Sequence, residues 1–174
     1  RAGTLNPLPE KTLHVAPGQG PRHFIFHPAH PRLYLINELG NTLMTFAVDL
    51  PSCSIKGPLQ TISTLPDRFQ DTSFTADLHL HPNGKFLYGS NRGHNSLVCC
   101  RVDPEDQMLT VKSHTSSGGD FPRNFAIAPS GRFLIVANQD SSSLQSFSLN
   151  PDTGALAPLH SLTLEVKPVC ILFA

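Results

Sequence analysis

The chain has 174 residues, enough for one ordinary domain with a substantial core. Charged residues make up only 15% and the formal net charge is zero, so bulk electrostatics favours neither nucleic acid nor an acidic membrane surface. Sixteen prolines, twelve glycines, few charges and many β-branched or aromatic runs favour an all-β protein over a helical one.

The N-terminal stretch Arg1-Ala2-Gly3-Thr4-Leu5-Asn6-Pro7-Leu8 has no signal-peptide hydrophobic region, and it lacks a starting Met. No run reaches the ~20 apolar residues of a membrane helix. Residues 4–15 resemble the closing strand of an earlier structural unit. From there a block recurs three times: a turn proline, a turn, a hydrophobic strand and an asparagine followed by a polar residue. The copies are His27-Pro28 through Asn37-Glu38, His81-Pro82 through Asn91-Arg92, and Ala128-Pro129 through Asn138-Gln139. The prolines lie 54 and then 47 residues apart. A period of that size built from short strands is the mark of a β-propeller.

Each unit supplies four strands. The first predicts 22–26, 32–36, 42–49 and 59–65. The second predicts 77–80, 86–90, 96–103 and 109–115. The third predicts 124–127, 133–137, 143–149 and 156–164. Pro-Asn-Gly, Pro-Ser-Gly, Asp-Pro and Asp-Thr-Gly punctuate them as turns. The segment 167–173 repeats the pattern of Pro21–Phe26 and is expected to be the first strand of a further blade. The expected fold is therefore a single partial propeller domain of four-stranded antiparallel blades over 1–174. It comprises a remnant at 1–15, blades at about 16–66, 72–116 and 119–164, and a closing strand at 167–173. Three blades cannot close a ring, so this reading makes the chain the C-terminal half of a larger propeller.

Four cysteines, Cys53, Cys99, Cys100 and Cys170, form no CxxC pair. They predict free thiols in a reducing compartment, and with it a cytoplasmic protein. Cys99 and Cys100 are adjacent on a strand and should face opposite sides.

Registering the three units on the turn proline places Arg22-His23, Ala76-Asp77 and Arg123-Asn124 at equivalent positions opening each innermost strand. Glu38, Arg92 and Gln139 share the position after the second strand. Both sets meet at one end of the inner wall, so Arg22, Glu38, Arg92 and Arg123 form a candidate cluster. Guanidinium groups bind carboxylate or phosphate in bidentate fashion and stabilise a nascent oxyanion. Glu38 beside them suits general acid or base chemistry. The same spacing also suits an ion pair that holds two blades together. His23 adjoins Arg22 and should line the same mouth. Asp77, His79 and His81 alternate on one strand face, yet no third metal ligand has a recognisable spacing, so no metal is expected. His27 and His81, before the turn prolines, read as structural or solvent-facing. Nucleophile-elbow, phosphate-loop and dinucleotide fingerprints are absent.

The stretches Gly20-Pro21-Arg22-His23, Asn37-Glu38, Ser90-Asn91-Arg92-Gly93-His94 and Gly119-Asp120-Phe121-Pro122-Arg123-Asn124-Phe125 resemble the lactonase family of seven-bladed β-propellers. That family includes propeller-type 6-phosphogluconolactonases and fungal carboxy-muconate cyclases. The resemblance spans nearly all of 15–173. It implies a lactone hydrolase of carbohydrate metabolism (the pentose phosphate pathway) acting on a small anionic lactone without a cofactor. It implies catalytic roles for Arg22, Glu38 and Arg92, and substrate contacts from His23, Asp77, His79 and Arg123. The family's catalytic histidine would fall before residue 1. Where relatives tend to have Ala-Glu-Ile-His, this chain has Ala76-Asp77-Leu78-His79, an acid one methylene shorter. Two other readings share these residues: a muconate-type lactonising cyclase and a non-catalytic binding platform.

Overall fold

The structure is a computed structural model that describes Gly3, Asn6 and residues 11–173. Twelve strands form three four-stranded antiparallel sheets, each built from four strands consecutive in sequence. Blade 1 contains β1 (Pro21–Phe26), β2 (Arg32–Asn37), β3 (Thr42–Asp49) and β4 (Ser54–Ser63). Blade 2 contains β5 (Phe74–Leu80), β6 (Phe86–Arg92), β7 (Ser96–Val102) and β8 (Leu109–Ser116). Blade 3 contains β9 (Pro122–Ile127), β10 (Phe133–Asn138), β11 (Ser143–Leu149) and β12 (Leu156–Thr163). Strands β1, β5 and β9 lie side by side as the inner wall.

Alternation along the middle strands sends successive side chains to opposite faces, so each blade contributes to two cores. Tyr34, Ile36 and Leu43 of blade 1 meet Leu78, Leu87, Val98 and Cys100 of blade 2. Tyr88, Leu97 and Cys99 of blade 2 meet Phe125, Leu134, Val136 and Phe147 of blade 3. Cys99 and Cys100 are thus buried in different cores, and all four cysteines are free.

Polar contacts repeat with the blades. The His27 Nδ1 accepts the N–H groups of Ala29 and His30, and its Nε2 faces the Gly84 carbonyl of blade 2 at 3.4 Å. One blade on, the His81 Nδ1 accepts the Asn83 N–H and its Nε2 donates to the Gly131 carbonyl at 2.8 Å. The histidines before the turn prolines therefore join blades, and both are buried. Gly131 must be glycine twice over: its φ is +68°, and a Cβ there would lie 2.8 Å from the His81 ring. The Tyr34 hydroxyl donates to the Gln107 carbonyl, and the Tyr88 hydroxyl to the Gly154 carbonyl, again across successive blades. Two of the three recurring asparagines have the same duty, while Asn37 donates to Thr42 Oγ1 within its own blade. Asn91 donates to the Thr64 carbonyl and Asn138 to the Ser117 carbonyl, each in the connection that leads in from the preceding blade.

Three expectations change. Strand β4 begins at Ser54, five residues before the predicted 59, because the ladder continues through Gly57-Pro58 with a bulge opposite Thr45 and Ala47. A proline is tolerated there because β4 is the outermost strand and its free edge needs no donor. Strand β5 begins at Phe74 instead of 77, with a bulge between Thr75 and Leu78. The described parts of the flanking segments form no strand. Of 4–15, residues 4, 5 and 7–10 lie outside the described residues; 11–15 form no ladder, and Leu13 and Val15 pack on the Leu33, Leu35, Met44 and Phe46 face of blade 1. Residues 167–173 also form no ladder, because a first strand pairs with the second strand of its own blade and none stands beside them among the described residues.

His81→Ala removes a buried ring and the hydrogen bond that joins blades 2 and 3. The expected outcome is a loss of about 2 kcal/mol in equilibrium denaturation with an unchanged m-value.

Candidate active site

Two rows of side chains cross the inner wall near the start of β1, β5 and β9. The upper row is cationic. Glu38 follows β2 directly, where its backbone N–H is fixed by the Gly20 carbonyl at 2.7 Å. Arg92 ends β6 at the equivalent place. The two meet between blades: Arg92 Nη2 donates to Glu38 Oε1 at 2.5 Å, and Arg22 Nε stands 3.4 Å from Glu38 Oε2. Backbone carbonyls of blade 2 complete the hold. Arg92 donates to Thr75 at 2.8 Å and to Phe74 at 3.3 Å, while Arg22 Nη1 donates to Ala76 at 2.5 Å.

This arrangement sets the charge states. The hydrogen bond from Arg92 and the charges of Arg92, Arg22 and Arg123 hold the Glu38 carboxyl below the usual glutamate range, against a smaller opposing effect of burial. Burial, with Arg92 beside it, lowers the Arg22 pKa while Glu38 pulls it back up. Arg92 is 4% exposed and Glu38 is its compensating charge. Arg123 lies near enough to bias Glu38 but forms no ion pair with it. Gln139, the third version of the Glu38 position, turns its amide to Asp140 and stays outside the cluster.

Phe121 escaped the sequence reading as a site residue. Its ring lies 5.0 Å from the Arg92 guanidinium carbon, a cation–π contact. It holds that place with φ +62°, the left-handed region that Gly20 occupies (φ +64°) before the equivalent proline of blade 1. The pairing of Gly20-Pro21-Arg22 with Phe121-Pro122-Arg123 was visible in the sequence, but nothing local reveals why blade 3 carries an aromatic at a glycine position.

The lower row is built from the equivalent positions His23, Asp77 and Asn124. Asp77 is 3% exposed and lies between its two counterparts. Its Oδ1 accepts the His23 Nδ1–H at 2.7 Å and the Leu78 N–H at 2.9 Å. Its Oδ2 accepts the His79 Nε2–H at 3.0 Å, the Asn124 amide at 2.5 Å and the Phe125 N–H at 3.1 Å. Five donors saturate a carboxylate. Burial alone would raise the Asp77 pKa, but the histidine and backbone donors outweigh it and hold it at about 2. The row continues from Asn124 Oδ1, which accepts the Ile171 N–H at 2.6 Å. His79 also packs edge-on against Phe125, with ring centroids 4.8 Å apart. The structure thus brings together Arg22, His23, Glu38, Asp77, His79 and Arg92. Asp77 sits behind the wall, with its oxygens consumed by protein donors. No group of three or more His, Cys, Asp or Glu side chains suited to a metal occurs among the described residues.

Four-stranded blades stacked round a polar inner wall define a β-propeller. The family model described as Lactonase, 7-bladed beta-propeller matches residues 1–173, and the chain belongs to this family. It is 34% identical over 158 residues to a 6-phosphogluconolactonase of Bacillus subtilis, covering 91% of this chain and 45% of that protein. It is 40% identical over 151 residues to one of Formosa agariphila, covering 84% of this chain and 41% of that protein. Among solved structures, a Lactobacillus plantarum protein superposes with a TM-score of 0.87 at 30% identity, covering 91% of this chain and 46% of that one. The periplasmic gluconolactonase PpgL of Pseudomonas aeruginosa superposes with a TM-score of 0.82 at 38% identity, covering 89% and 42%. The chain spans less than half the length of each of these four.

Two measurements test this account. Asp77 has a folded pKa of about 2 against an ordinary 3.8, so its stabilisation is complete above the ordinary value and is lost as pH falls through the folded one. Lowering pH from about 5 to about 2 should remove about 2 kcal/mol of stability by way of this one group. The pH dependence of denaturation in Asp77→Asn should be flatter by that amount. The second concerns Phe121. At a left-handed φ the usual order of alanine over glycine reverses, so Phe121→Gly should be about 1 kcal/mol more stable than Phe121→Ala in urea denaturation.

Proposed function

We propose that this chain carries part of the active site of a sugar-lactone hydrolase of the 6-phosphogluconolactonase type. The observation that carries the reading is the Arg22–Glu38–Arg92 cluster, with Arg123 beside it, at one end of the propeller's inner wall. Three guanidiniums against one carboxylate leave a net positive site, which suits an anionic substrate. The relatives named 6-phosphogluconolactonase and gluconolactonase support the same chemistry.

In lactone hydrolysis, water attacks the ring carbonyl, a tetrahedral oxyanion forms, and the ring C–O bond breaks. Arg22 and Arg92 suit the oxyanion and the substrate's anionic group, because a guanidinium placed in advance costs no reorganisation when charge develops. Glu38 has both oxygens facing guanidiniums and a lowered pKa. Such a carboxylate is a weak base, and its role here is to aim the two arginines. Arg123 contributes substrate charge recognition. Convergence of three guanidiniums at one end of the inner wall favours catalysis on an anionic substrate over a passive binding platform. A muconate-type cyclase uses the same groups beside a carboxylate, and a panel of lactones and muconates separates the two. Four free cysteines suit the cytoplasmic reading, and no helix among the described residues is long and apolar enough to cross a membrane.

The test is hydrolysis of 6-phosphogluconolactone by the full-length protein. Arg92→Ala should lower kcat/KM by about 100-fold or more, and Glu38→Gln by about 10-fold or more through misdirected arginines. Values for both variants within 2-fold of wild type would refute the assignment.

A further inference from the structure

His23 and Asp77 have an arrangement that the cationic cluster does not require. The His23 side chain is 45% exposed on the inner wall, whereas the Asp77 side chain is 4% exposed behind it. Asp77 Oδ1 takes the proton on His23 Nδ1 at 2.7 Å. This fixes the tautomer, because Arg22 Nη1 stands 3.1 Å from His23 Nε2 and, as a guanidinium, can only donate. The Nε2 lone pair therefore points toward the guanidinium that would hold the oxyanion. Asp77 is itself immobilised by Leu78, His79, Asn124 and Phe125, so the ring is oriented by a carboxylate that cannot move with it.

We propose that His23 is a general base and acid of the reaction and that Asp77 is its positioning residue. The assignment rests on the lactonase reading above. His23 Nε2 takes a proton from water as the water oxygen bonds to the lactone carbonyl carbon. The carbonyl electron pair moves onto oxygen, where Arg22 and Arg92 meet it. Water binds by displacing the Arg22 N–H from Nε2, Arg22 staying held by the Ala76 carbonyl and Glu38, and the freed N–H then meets the nascent oxyanion. On collapse the ring C–O bond breaks, and His23 returns its proton to the departing ring oxygen. Water and lactone give the hydroxy acid, and the histidine ends as it began. Asp77 stays ionised and stabilises the imidazolium without accepting its proton. The charged and titratable groups around His23 are Arg22 on its own strand, Asp77 and His79 on β5, Arg123 on β9, and the Glu38–Arg92 pair.

The experiment is steady-state hydrolysis of 6-phosphogluconolactone by the full-length protein and its variants across pH. His23→Ala should lower kcat by about 100-fold or more with KM within about 3-fold, abolish the acidic limb of the pH profile, and recover at least about 10-fold on adding imidazole. Asp77→Asn should lower kcat comparably. In the double variant His23→Ala/Asp77→Asn the loss should be well below the product of the two single losses, because part of the Asp77 effect passes through the ring; losses that multiply would show a purely structural role and overturn the dyad. Nitrogen NMR of His23 should show the Nδ1–H tautomer in the wild type and its loss in Asp77→Asn. If Asp77→Asn does not fold, His23→Ala with imidazole rescue decides. Wild-type turnover that survives His23→Ala within about 3-fold overturns the dyad and leaves the lactonase reading standing. A wild type without turnover overturns the lactonase reading and this role with it.

Discussion

The buried carboxylate of Asp77 is the constraint on which the rest of the inner wall depends. A carboxylate removed from water survives only if donors replace its hydration. Here they come from three blades: His23 from the first, Leu78 and His79 from the second, and Asn124 and Phe125 from the third. Satisfying one anion therefore fixes the relative placement of β1, β5 and β9. The apolar cores between blades supply most of the driving force for stacking, but hydrophobic packing is non-directional. The carboxylate supplies the register.

The cationic cluster is built on that register by the same logic with the signs exchanged. Arg92 is buried, so it requires an anion, and Glu38, directly after β2 of the neighbouring blade, supplies it. Arg22 then shares the same carboxylate and caps the Ala76 carbonyl. A saturated carboxylate below and a shared carboxylate above bring the Arg22 guanidinium and the His23 Nε2 within 3.1 Å of each other on the inner wall. The Phe121 backbone illustrates what such placement costs: a left-handed φ outside glycine is unfavourable by about 1–3 kcal/mol, and it is maintained where a ring must lie over Arg92.

Much of this was legible beforehand, and the limits have physical reasons. All twelve strands were readable because period-2 alternation and proline–glycine turns are local signals. The starts of β4 and β5 were not, because bulges depend on the partner strand. The flanking segments read as strands by pattern, yet a strand exists only against a partner. The sequence does not separate structural from solvent-facing roles for His27 and His81, since the carbonyls that bind them, Gly84 and Gly131, are 57 and 50 residues away. Arg22, Glu38 and Arg92 could be named because the repeat places them at equivalent positions.

Architecture and chemical inventory are written in the chain itself: a repeat of four strands per blade, and which polar residue each blade offers at each equivalent position. How those residues divide their work is set by the stacking of the blades. In the sequence, His23, Asp77 and Asn124 are one position repeated, as are Glu38 and Arg92. Stacking the blades makes Asp77 a buried acceptor, His23 an exposed ring oriented by it, and Glu38 a clamp between two guanidiniums. Burial and partner geometry arise between blades, from residues some fifty positions apart, and no local pattern encodes them.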